Sequence, residues 1–435
     1  MTGRHRLARR RKAVGHTQES LAALLGVDRS TTARWEHGST EPMAWLRPRL
    51  AAALKVTVEE LADLLLIGAD LEDHMNRSGL RKAPTVPVAD CRSTVSTSLD
   101  RRTGPANREL TAVVAQVRQA MQDASFDALV AADEIQLDVL DRRVAALWRS
   151  WHSSDQQRSA VGPLLPGLVR QLHRAARTDD VTDRRRAQAL LGHVYRLVQR
   201  FLAHISEPDL HALAVERGRS YSEAADQPYS LALAAWSSAI SASALGHFDE
   251  AARVAALGAR ILEPSLKRNG ADDLGAYGAL QLESAAAHGF AGRIDTADRH
   301  LAAAATVAER LAFGYWHLPS GFERSSVTIL EVILRVARGA TADALSLGEA
   351  INPHQVPSLV RRSRFLLELG LAHSQQRDPY GAVYFLGRAA GVSREAVALI
   401  PWAVDLAGEL AASAPNVLKR DASELAADLV RQVPA

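Results

Sequence analysis

Apolar residues recur with a helical period along nearly the whole chain. No stretch alternates apolar and polar with the period of two that a half-buried strand needs. This restricts the chain to helices packed on helices. Ala occurs 78 times, and Ala and Arg are strong helix formers, whereas runs rich in Val, Ile, Tyr and Phe are scarce. The expected fold class is all-α. The 435 residues exceed one unit at about 150 residues per domain. No apolar run reaches the about 18 residues of a membrane-spanning helix, and the basic start lacks the apolar core of a secretory signal. One cysteine, Cys91, excludes a disulfide framework and fits a cytoplasmic protein.

The helical period breaks over residues 68–108, where Pro84, Pro87 and Pro105 stand among Ser, Thr and charged residues. Such a stretch is too long for a turn inside a compact domain and reads as a linker. It separates a unit at 1–67 from a unit at 109–435. Charge divides the same way. Residues 1–65 carry 11 Lys/Arg against 7 Asp/Glu, and residues 110–435 carry 34 against 36, so the overall +3 conceals a basic head. Arg4, Arg6, Arg9, Arg10, Arg11 and Lys12 form an arm without an acid, the kind of footprint a polyanion leaves.

The head reads as five short helices. The first covers roughly Arg4–Ala13. Thr17 caps a second over Gln18–Leu25, which Gly26 ends. Asp28 caps a third over Arg29–His37, closed by Gly38. A fourth covers roughly Ala44–Leu54, and Thr57 with Glu60 has capping-box spacing for a fifth over Val58–Leu65. Helices two and three, joined around a glycine, form a helix-turn-helix.

The stretch from Thr17-Gln18-Glu19-Ser20-Leu21-Ala22, through Gly26-Val27-Asp28-Arg29-Ser30-Thr31, to Arg34-Trp35-Glu36-His37-Gly38 resembles the Cro/phage-repressor (XRE-type) helix-turn-helix family. The resemblance implies a double-stranded DNA operator as partner and a third helix that enters the major groove. It places Arg29 and Arg34 as base readers, with Ser30 and Thr31 as minor contacts. Thr17 and Gln18 stand at the DNA surface at the start of the second helix, whose N–H groups suit a phosphate. Arg11 pairs with Glu36 as an internal brace. Leu21, Ala22, Leu25, Val27 and Trp35 form the core. Arg10, His16 and Thr32 depart from the family by standing at positions usually apolar.

The body repeats one local pattern: Gly246-His247-Phe248-Asp249-Glu250-Ala251, Gly292-Arg293-Ile294-Asp295-Thr296-Ala297, and more weakly Gly339 to Ala344 and Arg377 to Ala382. Each is a turn followed, five residues on, by a small residue where two helices can approach. The pattern resembles a tetratricopeptide array with intervals longer than its usual about 34 residues. Stacked hairpins of this kind leave a concave groove. A repressor-type head, a linker and a helical repeat body together resemble regulators of actinobacteria. Gly162-Pro163-Leu164-Leu165-Pro166-Gly167-Leu168 and Tyr277-Gly278-Ala279-Leu280 carry that likeness.

No Gly-rich phosphate loop followed by Lys and Ser/Thr, no GxSxG and no HExxH occurs, and the histidines lack metal-type spacing. The chain is expected to be no enzyme, with no catalytic residue, metal or cofactor. The expected function is a sequence-specific, homodimeric transcriptional regulator whose body dimerises, senses a peptide or small molecule, or both. Tyr229, Trp236, Tyr277, Trp316 and Arg324 are the candidate groove residues. The alternative is an interaction scaffold whose helix-turn-helix docks a partner instead of DNA.

Overall fold

The structure is a computed structural model that describes residues 5–37, 40, 42, 46–56, 58–65, 105–127, 136–205 and 207–432. Gly38, Thr57 and residues 68–104 of the expected linker, Cys91 among them, lie outside the described residues.

The head holds α1 (His5–Ala13), α2 (Gln18–Leu25), α3 (Arg29–His37), α4 (Arg47–Leu54) and α5 (Val58–Leu65). Capping explains the boundaries of α2. The Ser20 N–H donates to Thr17 Oγ1 at 3.0 Å, and the Thr17 N–H donates back to Ser20 Oγ at 2.8 Å. Gly26 closes the helix at φ 71°, a left-handed conformation that suits a residue without Cβ. Helix α4 begins later than expected, at Arg47, with Pro48 in its first turn, where a missing N–H costs nothing.

Leu7, Leu21, Ala22, Leu25, Val27 and Trp35 pack with Leu50, Leu54 and Leu61 as the head's core. The polar departures are satisfied. Thr32 is buried, and its hydroxyl donates to Arg29 O at 2.8 Å. Arg10 Nε donates to Leu54 O at 2.8 Å, covering the C-terminal carbonyls of α4.

The body starts with α6 (Pro105–Asp127), so residues 105–108 of the expected linker are helical; Pro105 opens the helix with its φ already fixed. Then come α7 (Leu137–Ser153), α8 (Gln157–Val161) and α9 (Leu165–Ala175). Five hairpins follow: α10 (Val181–Leu202) with α11 (Pro208–Ala225), α12 (Pro228–Ala244) with α13 (Phe248–Leu262), α14 (Ala271–Phe290) with α15 (Ile294–Arg310), α16 (Ser326–Ala337) with α17 (Thr341–Glu349), and α18 (Leu359–Gln375) with α19 (Pro379–Val392). The array ends with α20 (Arg394–Ala398), α21 (Pro401–Ser413) and α22 (Asn416–Gln432).

Packed helix pairs thus make a repeat-like body. The recurring turn residues Gly246, Gly292, Gly339 and Arg377 all have positive φ, at 79°, 80°, 87° and 62°. The small residues five positions on, Ala251, Ala297, Ala344 and Ala382, are all buried where the paired helices cross. The first helices of successive hairpins also touch, from α10 through α12, α14 and α16 to α18.

The array does not stay open. Helices α7 and α8 contact α18 and α20. The Glu395 carboxylate accepts from the backbone N–H of Arg158 at 2.7 Å and of Ser159 at 3.0 Å, capping α8 from across the chain. Ser393 Oγ donates to Asp155 O at 2.7 Å. An unpaired helix N-terminus at one end of the array and an acid at the other draw the ends together. Between these ends lies a pocket.

Histidines held neutral in the body make it sensitive to acid; His152, His173 and His317 are three of them, and His193, His204 and His288 are lowered as well. Burial, followed by the charges of nearby arginines, lowers His152 to about 3 and His173 to about 4. Burial likewise takes His317 to about 3. The unfolded chain therefore binds protons near pH 6.5 that the folded chain refuses. Stability is complete above that pH and declines as pH falls from 6.5 towards 4, by up to about 1.4 kcal/mol per pH unit for each histidine. Denaturant titrations at pH 7.5 and 5.0 check this; equal midpoints would contradict it.

Candidate nucleic-acid interface

One carboxylate organises the helix-turn-helix. Glu36, on α3, accepts from Arg11 Nε at 2.5 Å and Arg11 Nη2 at 3.2 Å. It also accepts from Gln18 Nε2 at 2.7 Å. Arg11 Nη1 donates to His16 O at 2.7 Å. The two ionised side chains are almost fully buried, at 7% and 9% exposure, so each depends on the other. The brace fixes α1, α2 and α3 against one another. Arg11 is thus the internal brace that the resemblance implied, and Gln18, expected at the DNA surface, is drawn into it.

The remaining expected contacts divide into two groups. Thr17, Arg29 and Ser30 face solvent. Thr17 is engaged in the α2 cap, and Arg29 Nε lies 2.6 Å from Glu19 Oε1, an exposed pair that solvent screens. Thr31 and Arg34 instead face the body. Arg34 Nη1 donates to Gln375 O at 3.0 Å, Nη2 to Thr31 Oγ1 at 3.1 Å and Nε to Ser30 O at 3.2 Å. Burial, with help from Arg377 and against Asp28, lowers the Arg34 guanidinium from its ordinary value.

Arg34 is one of three attachments. The Asp28 N–H donates to Arg338 O at 3.2 Å, and Arg49 Nη1 donates to Phe290 O at 2.6 Å. The three acceptors are equivalent. Phe290 ends α14, Arg338 follows the last residue of α16, and Gln375 ends α18. They are the spare carbonyls at the ends of the first helices of three successive hairpins, where the helix dipole is negative. Glycines let the surfaces close. A Cβ at Gly339 would stand 2.7 Å from Thr31 Oγ1 and 3.2 Å from Asp28 Oδ2, and one at Gly26 would stand 3.0 Å from the Gly292 Cα.

Sequence reasoning missed Asp28 and Arg49 as contact residues, and the role of the turn glycines at this surface. Their partners are main-chain oxygens hundreds of residues away, which leave no side-chain signature.

The candidate groove residues do not form one cluster. Tyr229 Oη lies 2.8 Å from His317 Nε2. Trp236 is buried beneath Arg200, whose Cζ is 4.7 Å from the ring centroid. Tyr277 packs against the core of α12–α15. Trp316 meets His152 edge-on at 5.2 Å, and Arg324 Nη2 donates to Leu311 O at 2.8 Å.

Residues 7–61 match the helix-turn-helix family model. The match begins inside α1 and ends inside α5, and it supports a DNA-binding regulator in general. No curated protein matches the chain. Among the described residues, no helix is long and apolar enough to cross a membrane, and no group of three His, Cys, Asp or Glu could hold a metal ion.

Replacing Glu36 by Ala strands the buried Arg11 charge and is expected to cost the head about 3 kcal/mol. Hydrogen exchange in the full chain would register this as lost protection across α1–α3, with α10–α19 unchanged.

Proposed function

We propose that this chain is a cytoplasmic, sequence-specific transcriptional regulator that reads double-stranded DNA with α3. The observation that carries the reading is a matched helix-turn-helix whose third helix presents Arg29 and Ser30 to solvent. Arg29 and Arg34 supply bidentate donors for guanine, Ser30 and Thr31 supply hydroxyls, and the start of α2 at Thr17 and Gln18 meets a phosphate. Arg11 acts through the brace that sets the angle of α3. Two such heads in a homodimer address half-sites about 34 Å apart or a multiple of that. The body, a tetratricopeptide-like array, is the part that dimerises and senses a small-molecule or peptide signal.

The docked head represents the form that does not bind DNA. A phosphate backbone and the helix C-termini compete for the same donors, because Arg34 cannot serve Gln375 O and an operator together. The equilibrium between docked and free heads is then the regulated quantity, and a signal acts by differing in affinity for the two. The docking also favours a second reading, in which α3 is a protein-binding surface and the chain a scaffold.

Gly339→Asn separates the two readings. Asn tolerates positive φ, and its side chain occupies the space beside Thr31 and Asp28. Under the regulator reading the variant binds the chain's own genomic target about 3- to 10-fold tighter than wild type. Adding Arg29→Ala removes about tenfold or more of that affinity. Fragment selection followed by gel-shift titration measures both, and no sequence-selective binding by either protein would leave the scaffold reading standing.

A further inference from the structure

Where the ends of the array meet, the body holds a partly open pocket of about 230 Å³. Arg158, Arg200, Arg361 and Arg364 border it, with His152 and Trp151 beside them. No carboxylate borders it. These arginines come from α8, α10 and α18, and no two of those helices adjoin in sequence.

The donors facing this space are largely unspent. Arg158 donates from Nε to Phe201 O at 3.0 Å and from Nη2 to Ala203 O at 2.8 Å. Arg361 gives Nε and Nη2 to Ser320 O, at 3.1 and 2.8 Å. Arg364 gives Nε and Nη2 to Glu368 Oε1, at 2.8 and 2.7 Å. Nη1 of all three has no hydrogen bond among the described residues. Arg200 makes no hydrogen bond or ion pair at all among them and rests only on the Trp236 ring. Tryptophans brace two more: Trp151 lies 5.5 Å from the Arg158 Cζ, and Trp402 lies 5.5 Å from that of Arg364.

Four acids lie behind the lining: Glu283, Glu323 and Glu395 act on Arg200, Arg361 and Arg158, and Glu368 pairs with Arg364. Glu283 accepts from Ser243 Oγ at 2.6 Å, Glu323 from the Ser325 N–H at 2.8 Å, and Glu395 caps α8. His152 registers the resulting field: burial first, then Arg361 and Arg200, hold it neutral. It is 6% exposed, its Nδ1 lies 2.8 Å from Ser358 Oγ, and its Nε2 has no hydrogen-bond partner. The first turn of α18, at Val360 and Arg361, adds the positive end of a helix dipole to the same space.

A pocket bordered by four guanidinium groups and by no carboxylate, with unused N–H donors reaching it from three helices, suits an anion. We propose that it binds a small molecule through a phosphate monoester group, held by Arg158, Arg200, Arg361 and Arg364. A planar carboxylate presents two oxygens in one plane, whereas a phosphoryl dianion presents three that diverge, as donors from three helices require. The volume lies below the about 300 Å³ at which drug-sized sites begin, so the rest of the ligand is small. The assignment gives a chemical class to the signal proposed above and rests on that reading for its regulatory role only. Its test uses no DNA, so failure of the DNA-binding reading would leave the result untouched.

Equilibrium dialysis of the wild-type full chain against inorganic phosphate is expected to saturate at one phosphate per chain. Thermal unfolding at constant ionic strength, with chloride replaced by phosphate, is expected to rise by about 4 °C at saturation. Succinate at the same concentration is expected to give less than half that rise. Arg200→Met removes the phosphate response, and Arg185→Met, at an exposed arginine paired with Asp226, retains it. No saturable binding, an equal response to succinate, or loss of the response in Arg185→Met would each overturn the proposal. Should Arg200→Met fail to fold, the dialysis stoichiometry and the succinate comparison still decide.

Discussion

The close approach of paired helices at buried alanines governs the geometry of this protein. Ala251, Ala297, Ala344 and Ala382 lie where two helices of a hairpin cross, and each leaves room for the partner's backbone. A larger side chain there would push the crossing apart and cost about 1–3 kcal/mol. With the crossings fixed at the same distance from each turn, α14, α16 and α18 end along one edge of the body. Only this alignment lets Phe290, Arg338 and Gln375 present their carbonyls as a row. The docked head follows from the row, since Asp28, Arg34 and Arg49 are spaced to meet it.

Helix α18 belongs to both ends of this arrangement. Its first turn borders the arginine-lined cavity, and its last carbonyl holds Arg34. The two points are about 21 Å apart at 1.5 Å per residue. The segment before α16 adds a second connection: Ser320 accepts from Arg361 beside the cavity, and α16 ends at the Arg338 carbonyl that receives Asp28. Packed helices have few intermediate arrangements, so these two elements are the physical link between the proposed phosphate site and the contact with the head.

The local chemistry of the chain was legible in its sequence. Thr17 and Gly26 mark the limits of α2, and the repeated turn followed by Ala marks four of the hairpins, because capping and close packing are governed by neighbours along the chain. The Arg11–Glu36 pair was accessible through resemblance alone. The docked state was not legible, since Arg34 and Gln375 are 341 residues apart and the acceptor is backbone. Closure of the array depends on Glu395 reaching Arg158 and Ser159 across 237 and 236 residues. The cavity draws four guanidinium groups from a chain with 47 arginines, where nothing local separates these from the others. The sequence suggested aromatic residues for ligand contact, whereas three tryptophans stand behind the arginines as supports.

Because the body holds the head through main-chain oxygens, the two sides of the contact evolve under different rules. The carbonyl contacts themselves place no demand on the side chains of Arg338 and Gln375, since every amino acid brings the same oxygen, whereas Phe290 is held by its packing against Phe248. Gly339 is fixed too, by the lack of space beside Thr31. Arg34 has no such latitude. Under the proposed function it answers to a helix end in one state and to a nucleic acid in the other, so a substitution that suits one master is selected against by the second. Drift in the operator of such a regulator would therefore be met at Arg29 and Ser30, the two reading positions with no obligation to the body.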